Sequence, residues 1–283
     1  MNIKRTELDL REELDRLKSE NRDLIIGFVP TMGALHQGHA QLIKKALEQS
    51  DIVVVSVFVN PTQFNNEADL ENYPRTEEAD AELLRDLGCD ILFLPSVKDV
   101  YPESTDSIKI DLNGLDLVME GAFRTGHFDG VVTVVNRLFE LVQPNKAFFG
   151  KKDFQQLAII NRMVEVLEWG ITIVGVEIQR SEKGLALSSR NSLLSEKELT
   201  DALIIHDTLV FGKSIYKSGR NALDLRTEME TFFNKGELKL EYLSIVDNKS
   251  LQDVMIVNDE CTVCIAAYCG EVRLIDNTQF GVF

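Results

Sequence analysis

The residues best equipped for chemistry begin at Pro30, where the chain reads PTMGALHQGH through to His39. His36 and His39 stand three apart at the expected start of a helix. That spacing puts both imidazoles on one face, beside backbone N–H groups that a first helical turn leaves unpaired. Gly33 and Gly38 permit a tight turn and a close approach of backbone to ligand. An imidazole there, neutral or protonated, can donate to charge developing at a phosphorus centre. Met32, Gly33, Ala34, Leu35, His36, Gln37, Gly38 and His39 thus outline a phosphate corner. The competing reading is a pair of helix-capping or surface histidines. Against it, the chain has 4 histidines and places two of them here, directly after a β-type segment. Zinc fits less well, because helical zinc pairs are spaced HxxxH and HxxH lacks the accompanying Glu.

Three further groups of residues fall where a sheet edge would gather them. SSRN at 188–191 sets two hydroxyls and a guanidinium on a Gly-containing loop. Ser188, Ser189 and the loop N–H groups can hold phosphate oxygens, and Arg190 can neutralise a leaving pyrophosphate; the bland reading of Ser188 is a helix N-cap. FFGKKDFQQL at 148–157 ends a strand at Gly150 and delivers Lys151, Lys152, Asp153 and Gln156 to the C-terminal edge, where open α/β sheets bind ligands. Lys152 suits a phosphate, Gln156 suits a polar substrate, and Asp153 serves equally as a helix cap. FVNPTQF at 58–64 ends a buried strand in Asn60 and Pro61 and exposes Gln63 at the same edge; the neutral amides of Asn60 and Gln63 suit a polyhydroxy or carboxylate substrate, although Asn-Pro also favours a plain turn. The loop FRTGHFDG adds Arg124 and His127, with a site role and an ordinary surface loop evenly balanced.

The elements that must hold these residues alternate. LIIGFV at 24–29, IVVVSVFV at 52–59, ILFLP at 91–95, KAFFG at 146–150 and ITIVGVEI at 171–178 read as strands. Helical patterns lie between them, at 76–88, 131–142 and 154–167 and after His39. The expected fold is α/β, a Rossmann-like doubly wound parallel sheet with helices on both faces. Past SSRN the grammar changes to two helical stretches, at 195–217 and 221–234, and three shorter strands. We therefore expect a larger domain at residues 1–180 and a smaller C-terminal α+β lid domain at residues 181–283. The charged stretch at 6–20 reads as a solvated helix face.

Composition narrows the partners. The chain has 283 residues, 44% of them hydrophobic, enough for a substantial core in about two domains. Its 46 acidic and 30 basic residues leave a net charge of -16, which repels a nucleic-acid backbone. No nucleic-acid or membrane partner is expected, since the longest apolar run is far too short to span a bilayer. The N-terminal residues lack an apolar signal region, and the reading is of a cytoplasmic protein. Cys261 and Cys264 sit in a strand-like segment that turns them to opposite faces, so reduced core thiols are expected.

In this order, the segments PTMGALHQGH, FVNPTQF, YPRT, RTGHFDGV, FFGKKDFQQL and LSSRN closely resemble the pantoate–β-alanine ligase (pantothenate synthetase) family, over nearly the whole chain. That family belongs to the nucleotidyltransferase superfamily, which shares HIGH- and KMSKS-type elements with class I aminoacyl-tRNA synthetases. The resemblance implies a two-step reaction. Pantoate attacks the α-phosphate of ATP to give pantoyl adenylate and pyrophosphate, and β-alanine then displaces AMP. It further implies Mg2+ with the ATP, a homodimer, and an ATP site of Met32 to His39, Gly150 to Asp153, Gln179 and Leu187 to Arg190. His39 is implied as the proton donor with His36 as its companion, Lys152 and Arg190 as catalytic partners, and Gln63 and Gln156 as pantoate ligands, Gln63 also meeting β-alanine. The family often reads VPTVREPDGLAMSSRN before its second loop. Here VEIQRSEKGLALSSRN lacks the Pro, Thr and Asp and has Lys183 in place of an acid, and Gln179 would meet adenine through its backbone.

Overall fold

A computed structural model describes residues 1–64, 70–102 and 108–281. Its first part alternates strand and helix: β1 (Asn2–Lys4), α1 (Glu7–Glu20), β2 (Ile26–Thr31), α2 (Gln37–Gln49), β3 (Ile52–Val57), α3 (Glu77–Leu87) and β4 (Ile91–Phe93). After the short α4 (Val97–Val100) and α5 (Met119–Phe123) come α6 (His127–Val142), β5 (Lys146–Gly150), α7 (Phe154–Val166) and β6 (Thr172–Val176). The six strands form one sheet in the order β1-β4-β3-β2-β5-β6, and every pairing is parallel. The order in which strands are added reverses between β2 and β5, the switch point where such sheets bind ligands.

The pleat explains the two layers. Phe28, Val54, Phe93 and Phe149 point into one apolar cluster with Leu10, Leu14 and the inner face of α6. Their strand neighbours Val29, Val53, Val55, Leu92 and Phe148 point the other way, against Ile43 and Ala46 of α2 and Leu84 of α3. Alternate residues of a strand face opposite sides, so near-continuous apolar runs are what a sheet covered on both faces requires.

Two details depart from the sequence reading. β1 is an addition: NIK is too short and mixed to announce a strand, yet it pairs with β4 at the edge. β2 runs on through Pro30 to Thr31, past the apolar run. It pairs with β3 along its whole length but with β5 only at Gly27 and Phe28. Proline has no N–H to give to a ladder, and Pro30 sits in the stretch where β2 and β5 have parted.

The remainder comprises α8 (Glu196–Asp201), α9 (Leu203–Ile215), α10 (Ala222–Phe233) and the antiparallel sheet β7 (Lys239–Asp247), β8 (Cys261–Cys269), β9 (Val272–Gln279). The helical stretch expected at 195–217 is broken in two at buried Ala202. This part has its own apolar cluster, from Leu185 to Phe280. All four cysteines are free and buried.

Candidate active site

Where β2 and β5 part, their C-terminal ends and the loops beyond them frame a cleft of about 220 Å³. His36, His39, Gln63, Lys152, Gln156 and Arg190 all line it, although they come from separate segments of the chain. Met32, Gly38, Asn60, Gly150 and Asp153 line it too, as do Gln179, Leu187, Ser188 and Ser189. Gly33, Ala34, Leu35, Gln37 and Lys151 are not among its walls.

The histidines cap a helix and line the cleft at once. The N–H of Gly38 donates to Nδ1 of His36 at 3.0 Å, and the N–H of His36 donates to Nδ1 of His39 at 3.3 Å. They cap α2, and a neutral ring that accepts at Nδ1 carries its proton on Nε2. The ring centroids are 4.2 Å apart. Burial pushes His39 down to about 3, with His36 and Lys152 adding to the effect, and burial followed by Lys152 pushes His36 down to about 4. Both rings are therefore neutral at pH 7. Each neutral ring then offers its Nε2–H as a hydrogen-bond donor. A Cβ on Gly38 would stand 2.7 Å from the His36 ring, so any larger residue there would push that ring out of its capping position.

The loop N–H groups are not turned to a ligand. Asp80, buried on α3, accepts from Ala34 N–H at 3.0 Å and from Leu35 N–H at 2.7 Å, while Gly33 N–H goes to the Thr31 hydroxyl at 3.2 Å. Gly33, Ala34 and Leu35 shape the corner from behind, and Gln37 is exposed on the first turn. Sequence reasoning misses Asp80 because Glu77 and Glu78 make its neighbourhood look solvated. Its phase with Ala81 and Leu84, one turn apart on the buried face, is the available signal.

Asn60 is turned inward. Its amide donates to Gln63 Oε1 at 3.1 Å and to Gly130 O at 3.2 Å, and its Oδ1 accepts from the Tyr101 hydroxyl at 2.8 Å and from Thr62. It caps the turn Pro61–Gln63 and orients Gln63. His127 and Arg124 act on the same residue, since Nδ1 of His127 lies 2.8 Å from the Gln63 carbonyl and Arg124 donates to it at 3.4 Å. His127 is buried, and that burial, aided by Arg124, pushes it down to about 4.

Lys152 lies 3.8 Å from Asp153, whereas Lys151 turns outward to pair with Glu177. Ser188 caps the turn Ser189–Leu193 by accepting from Arg190 N–H at 3.3 Å, and Ser189 donates to the Ala34 carbonyl at 3.2 Å, joining the two loops. The Gln179 carbonyl accepts from Leu187 N–H at 2.9 Å. The Arg190 guanidinium sits 5.6 Å from the ring centroid of Tyr73, a cleft residue that enters the sequence reading only within YPRT. Among the described residues no cluster of three or more His, Cys, Asp or Glu side chains could hold a metal, and no helix is long and apolar enough to cross a membrane.

The family model for pantoate–β-alanine ligase matches residues 2–279. Pantothenate synthetase of Bacteroides thetaiotaomicron is 47% identical over 282 residues, 99% of each chain, and that of Phocaeicola vulgatus is 48% identical over 283 residues, again 99% of each. The solved pantothenate synthetase of Thermus thermophilus superposes with a TM-score of 0.92 at 39% identity, covering 99% of both chains. Pantoate–β-alanine ligase of Francisella tularensis, solved with β,γ-ATP and β-alanine, does so with 0.83 at 36% identity, covering 100% of this chain and 99% of that one. The family model, the curated relatives and the superposed structures agree over nearly the whole chain, which belongs to the pantoate–β-alanine ligase family.

Proposed function

We propose that the cleft between β2 and β5 is where this ligase joins (R)-pantoate to β-alanine in two steps, through pantoyl adenylate. The activity is ATP-dependent condensation of the two substrates to pantothenate, with release of AMP and pyrophosphate. The observation that carries the site assignment is the convergence of His36, His39, Lys152, Gln156, Gln63 and Arg190 on one cavity.

Pantoate arrives as a carboxylate, so no strong base is needed for adenylation; the work is alignment and stabilisation of charge. His36 and His39, neutral and protonated at Nε2, donate to oxygens on the α-phosphate. Lys152 and Arg190 balance the charge passing to pyrophosphate. Gln63, held by Asn60, His127 and Arg124, and Gln156 position pantoate and then the β-alanine amine, whose attack on the acyl carbon expels AMP. Ser188, Ser189, Leu187, Gln179, Gly150, Asp153, Met32 and Gly38 complete the nucleotide wall. Mg2+ fits as a companion of the triphosphate. With Asp153 beside Lys152 and no carboxylate cage among the described residues, the ion would keep phosphate and water oxygens as its main ligands.

The same reading takes residues 1–180 as the substrate-binding domain and residues 181–283 as a smaller lid, and it takes the working form as a cytoplasmic homodimer. Purified chain incubated with ATP, Mg2+, pantoate and β-alanine should form AMP and pantothenate together. Product formation that did not need both organic substrates would sink the assignment.

A further inference from the structure

Two loops must act together in adenylation, and they lie some distance apart in sequence: Gly150–Asp153 after β5, and the segment that runs from Gln179 to Arg190. Both are tied to one dipeptide of β9. The Asn277 side-chain amide donates to the carbonyls of Lys151 at 3.0 Å and Lys152 at 2.8 Å. Its neighbour Asp276, 3% exposed, takes a two-pronged ion pair from Arg180, at 2.5 and 3.0 Å. Arg180 also donates to the Gly184 carbonyl at 3.1 Å, and it bridges to Ala186 across the hairpin that carries Ser188. Asp276 in turn accepts from the Asn277 N–H at 2.8 Å, which locks the two arms to each other. The void left between Lys152, Ser188, Asn191 and Ile275–Asp276 is about 10 Å³. The hydrogen bonds through Asp276 and Asn277 carry a displacement of one arm to the other.

Resting on the adenylation reading above, we propose that Asp276 and Asn277 form a positioning clamp that sets Lys152 against the Ser188–Arg190 loop for the first half-reaction. Neither residue lies on the wall of the main cleft. Asn277 works on Lys152 by fixing the carbonyls at and before it. A lysine on a four-carbon stem has no intrinsic preference for one direction, so the backbone beneath it decides where its ammonium can reach. Asp276 works on Arg190 and the serines by fixing the base of their hairpin.

The test is a double-mutant cycle read by pantoate-dependent exchange of labelled pyrophosphate into ATP. Asn277→Ala should lower the exchange kcat by about 10- to 100-fold, the scale of a misplacement near 1 Å. In a Lys152→Ala background the same substitution should change the residual rate by less than about 2-fold, because a residue that acts through Lys152 has nothing left to position. Transfer from supplied pantoyl adenylate to β-alanine should fall less than exchange does, since no pyrophosphate leaves in that step. A merely structural role predicts equal losses in both backgrounds and in both half-reactions, and that result overturns the clamp. So does an Asn277→Ala rate within about 2-fold of the parent. If Asn277→Ala does not fold, Arg180→Gln in parent and Arg190→Ala backgrounds runs the other arm of the cycle under the same criteria. A parent with no pantoate-dependent exchange overturns the adenylation reading and the clamp with it; a normal parent with an indifferent variant overturns the clamp alone.

Discussion

A histidine that caps a helix through Nδ1 has one proton left, on Nε2, and in His36 and His39 that ring also lines the cleft. Burial keeps both rings neutral, down to about 4 and about 3. The unfolded chain takes up protons on these side chains as pH falls below about 6.5, while the folded chain does not. Stability should therefore decrease from about pH 6.5 down toward 4, and denaturant midpoints across that range check it. Adenylation should behave differently. The kcat for pyrophosphate exchange should show no histidine ionisation between about pH 6 and 8, and a limb near 6.5 would mean that one of these rings cycles its proton. His39→Ala should lower exchange by about 100- to 1000-fold, the cost of one donor to a developing oxyanion. Asp80→Ala belongs to the same scale although it touches no substrate. Losing its bonds to Ala34 and Leu35 should destabilise the fold by about 1.5–3 kcal/mol. Its exchange rate should fall as well, because the corner that carries His36 loses its back support.

At the scale of elements, the strands and helices that build the sheet are legible in the sequence because their periodicity is strong and local. KAFFG at 146–150 coincides with β5 residue for residue, and the helix read at 154–167 is α7 to within one residue. What escapes depends on partners distant in sequence. NIK becomes β1 only because β4 offers it an edge, and Asp276 and Asn277 matter only because β9 folds back onto the loops after β5 and β6. Of the cleft, the polar side chains His36, His39, Gln63, Lys152, Gln156 and Arg190 that line it are readable from type and spacing. The groups behind them, Asp80 and Asn277, are not, because each bonds to backbone that carries no sequence signal; Asn60 is legible at the sheet edge, but its inward turn onto Gly130 is not. The hairpin before SSRN offers a test at this scale. Gly184 has φ +101, and a Cβ on it would stand 2.1 Å from a carbon of the His206 ring. Gly184→Ala should raise the KM for ATP by about 10-fold, on the order of 1.4 kcal/mol of displaced loop. His206→Ala added to it should recover part of that loss by removing the steric half of the problem and leaving the backbone strain.

Across the whole molecule, a buried ionic knot ties the short helix α5 to the antiparallel sheet. Glu120 of α5 accepts from Arg273 of β9 at 2.7 and 2.8 Å and from the Tyr242 hydroxyl of β7 at 2.7 Å, and Arg273 also pairs with Glu241. Burial alone would raise the Glu120 carboxyl, yet Arg273 and Tyr242 hold it below the usual range. The carboxylate is thus ionised wherever the protein is folded near neutrality, and its partners are what make its burial tolerable. Removing one side of such a pair strands the other, which typically costs about 3–5 kcal/mol, whereas replacing both with neutral groups of similar size costs far less. Arg273→Ala should accordingly be the most destabilising of the single substitutions proposed for this chain. The double variant Glu120→Gln with Arg273→Met should regain at least half of the loss in denaturant unfolding. Strictly additive losses would mean that the two side chains stabilise the fold independently and that the knot is not a unit. The ATP KM of that recovered fold should stay at the parent value, since Glu120 and Tyr242 share a small side cavity with Lys152 and Gln156 but stand off the wall of the main cleft; a raised KM would mean that the knot also sets where those two side chains stand.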